Sequence, residues 1–224
     1  MKHAGEARRA AQKLILLSFI GVVVVGLIAK DVKIMPGLIS GIVGGIWILF
    51  VGFTLYFFRD PTAQPPTAPG LVLSPGHGTV DYIGQLDHST YMGGPCHRIS
   101  IFLSVINVHV QCAPITGKVS CVTHTAGKFI SALQACSAEH NENVLIGFDS
   151  TEAPGEKIGL RLIAGVLARR IIPFVKVGDE MARGERISLI QFGSRCDVYL
   201  PLQYQIKTKL GDKVVGGESI LAAK

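Results

Sequence analysis

A glycine and a serine interrupt a run that otherwise reads as strand, and they are the place in this chain where chemistry could occur. Gly193-Ser194 lies between Ile187, Leu189 and Phe192 on one side and Val198, Tyr199 and Leu200 on the other. In the plainest reading the pair is a bulge or a tight bend. A second reading uses the serine hydroxyl. If the backbone is bent so that the oxygen approaches the preceding carbonyl, the peptide can become an ester, and glycine before the serine permits such angles and crowds nothing.

Few other residues carry chemistry. His77 and His109 are imidazoles able to move protons near neutral pH, although a histidine hydrogen-bonded within a strand is the ordinary case. Arg169, Arg170, Arg183, Arg186 and Arg195 have the fork geometry that suits a phosphodiester, and suit a solvated basic face equally well. His109 and Cys112 are one pair of candidate ligands with no second pair at site spacing, so no metal is expected. The chain has neither a Gly-rich phosphate loop nor a Gly-x-Ser-x-Gly elbow.

The elements that must position these residues read mainly as short strands between Gly, Pro and Asp: residues 71–73, 79–83, 98–103, 107–111, 117–123, 144–148 and 157–163. One helix is expected over residues 128–139, with Phe129, Ala132, Leu133 and Cys136 at helical spacing. Two internal echoes bear on architecture. Ser74-Pro75-Gly76-His77-Gly78-Thr79-Val80 matches Ala113-Pro114-Ile115-Thr116-Gly117-Lys118-Val119, and Lys176-Val177-Gly178-Asp179 with Gly184-Glu185 matches Lys209-Leu210-Gly211-Asp212 with Gly217-Glu218. Repeated turns imply repeated hairpins, and with the Val- and Ile-rich strands after them they point to a mainly β (α+β) fold, a compact sandwiched barrel with few helices. No lysine sits in the hairpin setting of a lipoyl or biotin carrier.

The 224 residues suffice for one such domain and an appendage. The mean hydropathy of +0.40 is too apolar for a wholly soluble chain, and the excess lies at the N-terminus. Residues 14–29 and 34–58 are free of charge, and at about 1.5 Å per residue the second run spans the ~30 Å hydrocarbon layer comfortably while the first barely does. A transmembrane helical hairpin over residues 1–60 is expected, then a Pro-rich linker over 61–70 and a catalytic domain over 71–224. Gly37, Gly41 and Gly45 would form a small-residue ridge on the second helix for packing against the first or a second copy. The positive-inside count places both ends and the globular part in the cytoplasm, at the cell's inner membrane. Five cysteines without a CxxC pair agree with a reducing compartment. Beside two membrane helices, the net charge of +6 points to an anionic lipid surface and away from nucleic acid.

The phrase from Gly184-Glu185-Arg186 through Gln191-Phe192-Gly193-Ser194-Arg195-Cys196-Asp197-Val198-Tyr199-Leu200-Pro201 resembles the processing site of the short, membrane-bound phosphatidylserine decarboxylases. The resemblance extends from Phe57 to Ala223. It takes in Ser74-Pro75-Gly76-His77-Gly78, Phe102-Leu103-Ser104 with Asn107-Val108-His109-Val110, Gly127-Lys128-Phe129 with Asn141-Glu142, and Ile163-Ala164-Gly165 with Arg169-Arg170. It implies cleavage between Gly193 and Ser194 into a β chain (1–193) and an α chain (194–224), which form a heterodimer open to further oligomerisation. Ser194 becomes a covalent pyruvoyl cofactor that forms a Schiff base with the substrate amine and accepts electrons as carbon dioxide leaves. His109 matches the histidine credited with a role in decarboxylation. His77 stands where the family has an aspartate of the self-processing triad, and an imidazole cannot supply that fixed negative charge. Cys112 stands where the short branch usually has arginine. The expected activity is conversion of phosphatidylserine to phosphatidylethanolamine, with Arg169, Arg170, Arg186 and Arg195 as candidates for the substrate phosphate. An unprocessed, lipid-binding relative without activity is the competing reading.

Overall fold

The computed structural model describes residues 2–31, 36–128, 130, 140–165, 170–191 and 194–224. Residues 129 and 131–139 of the helix expected over 128–139, Gly193 and Arg169 lie outside these residues, and Lys128 forms a bridge with Asn141. The chain divides into two compact units, Gly5–Asp60 and a unit formed by Pro61–Lys224 with residues 1–4.

The first unit holds α1 (Glu6–Asp31) and α2 (Pro36–Phe57), both long and apolar enough to cross a membrane, with mean hydropathies of 2.3 and 1.8 over their apolar spans. They meet through Ser18, Phe19 and Trp47: the indole Nε1 donates to Ser18 Oγ at 3.2 Å and the Phe19 and Trp47 rings lie 5.4 Å apart. The glycine ridge is not the contact. A Cβ added at Gly37, Gly41 or Gly45 would meet nothing within 4 Å, because Trp47 is bulky and sets the spacing from its own face of α2.

Among the described residues the second unit has fourteen strands. An eight-stranded sheet contains β2 (Gly78–Ser89), β3 (Gly94–Leu103), β5 (Gly117–Thr125), β6 (Asn143–Ser150), β7 (Lys157–Ala164), β9 (Glu180–Met181), β11 (Ser194–Leu200) and β13 (Lys213–Val214), in the order β13-β2-β3-β11-β7-β6-β5-β9, and curls into a half-barrel. Two three-stranded sheets accompany it: β1 (Leu71–Leu73), β14 (Ile220–Ala223) and β12 (Gln205–Ile206), and β4 (Val110–Cys112), β10 (Arg186–Ile190) and β8 (Ile171–Pro173). All three contribute to one buried apolar cluster that includes Val72, Ile101, Leu103, Phe148, Leu160, Ile187, Val198 and Leu221.

The internal echoes are a structural duplication. The order of the large sheet is the same read outward from β11 as from β7, and β1-β14-β12 corresponds to β4-β10-β8. Leu73 N donates to Pro114 O at 2.9 Å and Cys112 N donates to Pro75 O at 2.8 Å, a reciprocal exchange between the two echoed segments. Each Lys-x-Gly-Asp turn also clasps the valine of its echo. Gly178 N and Val119 N bond Val119 O and Asp179 O, and Gly211 N and Val80 N bond Val80 O and Asp212 O, all within 2.8–2.9 Å. The turns need φ of +96° at Gly178 and +89° at Gly211, which glycine adopts without strain.

One half is continuous, residues 110–190. The other consists of residues 71–103 and 194–223, so the continuous half is inserted where a β3–β11 hairpin turn would otherwise be. Residues 104–109 and 191–193 are the two links at that insertion point. The proline stretch expected as a linker is seated on the globular unit. Gln64 N donates to Glu218 Oε1 at 3.0 Å, and Pro65 would lie 3.2 Å from a Cβ at Gly184.

Gly78 and Gly117 occupy equivalent positions where a neighbouring strand passes too close for a side chain. An added Cβ would lie 2.2 Å from Phe102 O and 2.4 Å from Asp149 O, respectively. Both obstacles are backbone, so Gly117→Ala should cost about 2–4 kcal/mol and lower the melting midpoint by roughly 5–10 °C, followed by circular dichroism in detergent. Gly94→Ala, where a Cβ meets nothing within 4 Å, should leave the midpoint nearly unchanged.

Candidate active site

Ser194 opens β11, immediately after the chain has crossed from the small sheet of β10 into the large one. It pairs with Leu103 of β3 on one side and Ala164 of β7 on the other, and it is fully buried. Its Oγ has no hydrogen-bond partner among the described residues. A buried hydroxyl left unbonded costs about 1–3 kcal/mol, and it is also uncommitted as a nucleophile.

The other link carries His109, which is fully buried. Residues 104–107 form a turn locked by Asn107, whose Oδ1 accepts from Ser104 N at 2.9 Å and from Ser104 Oγ at 2.8 Å. The His109 Nδ1 lies 2.9 Å from Asn107 O. A carbonyl can only accept, so Nδ1 carries the hydrogen and, in the neutral ring, Nε2 holds the lone pair. The His109 carbonyl receives two hydrogen bonds, from Ile190 N at 3.1 Å and from Gln111 Nε2 at 2.7 Å, and Gln111 Oε1 accepts from Ser188 Oγ at 2.7 Å. His109 is therefore tied to the last residue of β10, four positions before Ser194. Gln111 and Ser188, both fully buried, were missed by sequence reasoning. The available signal was a glutamine in an otherwise apolar strand, which must find a partner when buried.

Asn141 supports the opposite flank. Its Nδ2 donates to Ala164 O, the residue paired with Ser194, and to Ile130 O, each at 2.7 Å. The loop before β2 carries His77, partly buried, and Ser74 Oγ donates within that loop to Gly76 O at 2.7 Å. A Cβ at Gly76 would lie 3.2 Å from Leu103 and 3.6 Å from Cys196 Sγ. Side chains alternate along a strand, so Cys196 and Ser194 share a face of β11, and the His77 loop lies against that face. No hydrogen bond joins His77 to the Ser194 hydroxyl. Cys112 and Cys196 are buried near one another, and burial pushes the Cys196 thiol far above its usual range.

The arginines separate by environment. Arg195 forms an ion pair with Asp81, and burial raises the Asp81 carboxyl despite that partner. Arg183 donates to Leu71 O at 3.2 Å and approaches Glu152 to 3.4 Å. Arg186 is 5% exposed and reaches Pro61 O at 3.5 Å. Arg170 is exposed, and its carbonyl accepts from Gln191 N at 3.2 Å, which places it beside the link that leads to Ser194. Among the described residues no three His, Cys, Asp or Glu side chains gather in a metal site.

A family model described as phosphatidylserine decarboxylase matches residues 50–222. A phosphatidylserine decarboxylase proenzyme of Desulfotalea psychrophila is 44% identical over 176 residues, covering 79% of this chain and 81% of the relative. The proenzyme of Gluconobacter oxydans is 41% identical over 201 residues, covering 88% and 87%, and that of Pelobacter propionicus is 41% identical over 176 residues, covering 79% of each. With a family model and relatives this similar both matching over most of its length, the chain belongs to the phosphatidylserine decarboxylase family, a family of carboxy-lyases.

Proposed function

We propose that this chain is a proenzyme that cuts itself between Gly193 and Ser194 and then decarboxylates phosphatidylserine to phosphatidylethanolamine at the membrane. The observation that carries this reading is the Ser194 hydroxyl, buried and unbonded at the first position of a strand held on both sides. A β11 paired on both edges fixes the serine, and glycine at position 193 permits the backbone angles that a scissile carbonyl needs to approach Oγ. Attack gives an ester. Loss of the Ser194 Cα proton then releases the 1–193 chain and leaves residue 194 as the precursor of the pyruvoyl group.

That group supplies a ketone that captures the substrate amine and takes up the electron pair as carbon dioxide departs. The chain's own residues do the rest. His109, with its hydrogen fixed on Nδ1, offers Nε2 for holding or returning the proton at the reacting carbon. Arg170 is exposed beside Gln191 and suits the phosphodiester. Val105 and Ile106, 37% and 62% exposed on the locked turn before His109, give this end of the domain an apolar tip that fits a lipid surface. The two apolar helices anchor the chain, with the domain on the cytoplasmic side of the inner membrane. After cleavage the α chain still supplies β11 and β14, central strands of two sheets, so the two chains remain a heterodimer. The lipid-binding relative without activity is not favoured, since the relatives of known kind are proenzymes.

Native protein should run as two pieces under denaturing conditions and as one species otherwise, and the smaller piece should resist N-terminal sequencing. Ser194→Ala should stay intact and inactive, whereas Ser194→Cys should cleave slowly; an intact native chain without decarboxylase activity would sink this reading. His77→Asp should process at least as fast as the native chain, measured by gel densitometry during refolding. Loss of cleavage there would mean that the imidazole has become a working base. Anchoring is tested separately: the protein should stay with membranes through an alkaline wash, and release would assign attachment to surface charge.

A further inference from the structure

The side chains of β11 that point away from Ser194 are Arg195, Asp197 and Tyr199. The register sets Ser100 and Arg161 on either side of Asp197, and Arg98 and Gly159 on either side of Tyr199. Above this row lies a cavity of about 480 Å³ whose polar lining includes Arg98, Arg161, Asn143, Tyr199, Thr123 and Tyr91. That volume is within the ordinary range for small-ligand sites. Tyr91 forms one wall. Its ring lies across β6 and β7 only because Gly147 and Gly159 lack side chains, an added Cβ coming within 2.3 Å and 2.9 Å of it, and its hydroxyl is held 3.0 Å from Ser120 Oγ.

The two arginines are undercommitted. Arg161 donates Nε to Asn143 Oδ1 at 3.0 Å and lies against the Tyr199 hydroxyl. Arg98 stacks over the Tyr82 ring at 4.1 Å, donates to no described residue, and has a buried Nε without a partner. The acid behind them does not engage them. Asp197 is fully buried, forms no ion pair with either arginine, and burial raises its pKa against the pull of the Ser100 hydroxyl and of the Arg98, Arg195 and Arg161 guanidinium groups. Arg195 is taken by Asp81. Two guanidinium forks thus line a polar cavity without an ion pair to any described residue.

We infer that this face of the large sheet, opposite the Ser194 side chain, carries a second binding site that takes a phosphate-bearing anion between Arg98 and Arg161. Guanidinium forks match phosphate oxygens bidentately, and stacking on Tyr82 presets one of them. The phosphate could be free or part of a lipid headgroup. Isothermal titration of the full chain in detergent, in a chloride buffer, with inorganic phosphate in one arm and glycerophosphoglycerol in the other separates these sources. The second probe has no amine and so cannot react at Ser194. Saturable binding is expected for at least one probe, and the tighter identifies the source. Arg98→Gln and Arg161→Gln should each weaken it about tenfold, whereas Arg170→Gln should leave it unchanged. Absence of saturable binding in both arms, or weakening below threefold in both variants, overturns the proposal. Melting midpoints without ligand check folding, and if neither glutamine variant folds, Arg98→Lys, which keeps charge but loses the fork, must weaken binding at least threefold.

Discussion

Everything in the globular unit depends on the pairing of β11. Its seven residues, Ser194 to Leu200, are hydrogen-bonded in register to β3 on one side and all but the last to β7 on the other, and all seven are buried. A strand paired on both edges cannot slip by one residue, because a slip would turn Cys196, Val198 and Leu200 out of the apolar core and bring Arg195 and Asp197 into it. The position of Ser194 is therefore set by the whole sheet and not by the loop before it. A chain cut at that point keeps the strand, since the contacts that hold it are cross-strand and not along the chain.

The duplication explains why the proposed reactive residues lie on the two links at one end of the sheet. One half is inserted into the other at the place of a hairpin turn, so the chain must cross between halves twice at the same end of the sheet. His109 lies on the outgoing link and Ser194 ends the returning one. The bonds from Ile190 N and Gln111 Nε2 to the His109 carbonyl draw the two links together inside an apolar setting, where a hydrogen bond is stronger than in water and an unmade one is costly. The equivalent end of the continuous half is an ordinary turn over residues 151–156 and carries no such pair.

The two faces of β11 divide the chemistry. The face of Ser194, Cys196 and Val198 adjoins the core and is nearly free of charge, which suits a reaction needing an undistracted nucleophile. The other face gathers Asp81, Asp197, Arg98, Arg161 and Arg195, with Asp197 and Arg195 buried and the rest partly so, and only the Asp81–Arg195 ion pair is closed among them. Burying charges is expensive unless they are paired, so the unclosed remainder is the part of the molecule whose polar groups the fold alone does not satisfy.

Much was legible in the sequence, and for identifiable reasons. Apolar runs without charge mark membrane helices whatever they pack against, strand propensity between Gly, Pro and Asp marks a β fold, and the echoed turns marked repeated hairpins, because all three signals are local. Gly193-Ser194 and His109 stood out through the phrases around them. The tertiary structure alone decided how those pieces are used. The glycine ridge of α2 proved not to face α1, since an indole on another face set the contact. The proline stretch proved to be seated, because the Gly184 and Gly217 turns leave room for Pro65 and Ala63. Among the four candidate arginines the structure describes, Arg195 and Arg183 were taken by Asp81 and Glu152, Arg186 was buried, and Arg170 was left exposed. Gln111, Ser188 and Asn141 entered the site through partners 77 and 23 residues distant in the chain. Residue type and spacing determine local geometry and hydropathy, but which charge finds which partner depends on distances between segments far apart in the chain, and only the closed sheet sets those.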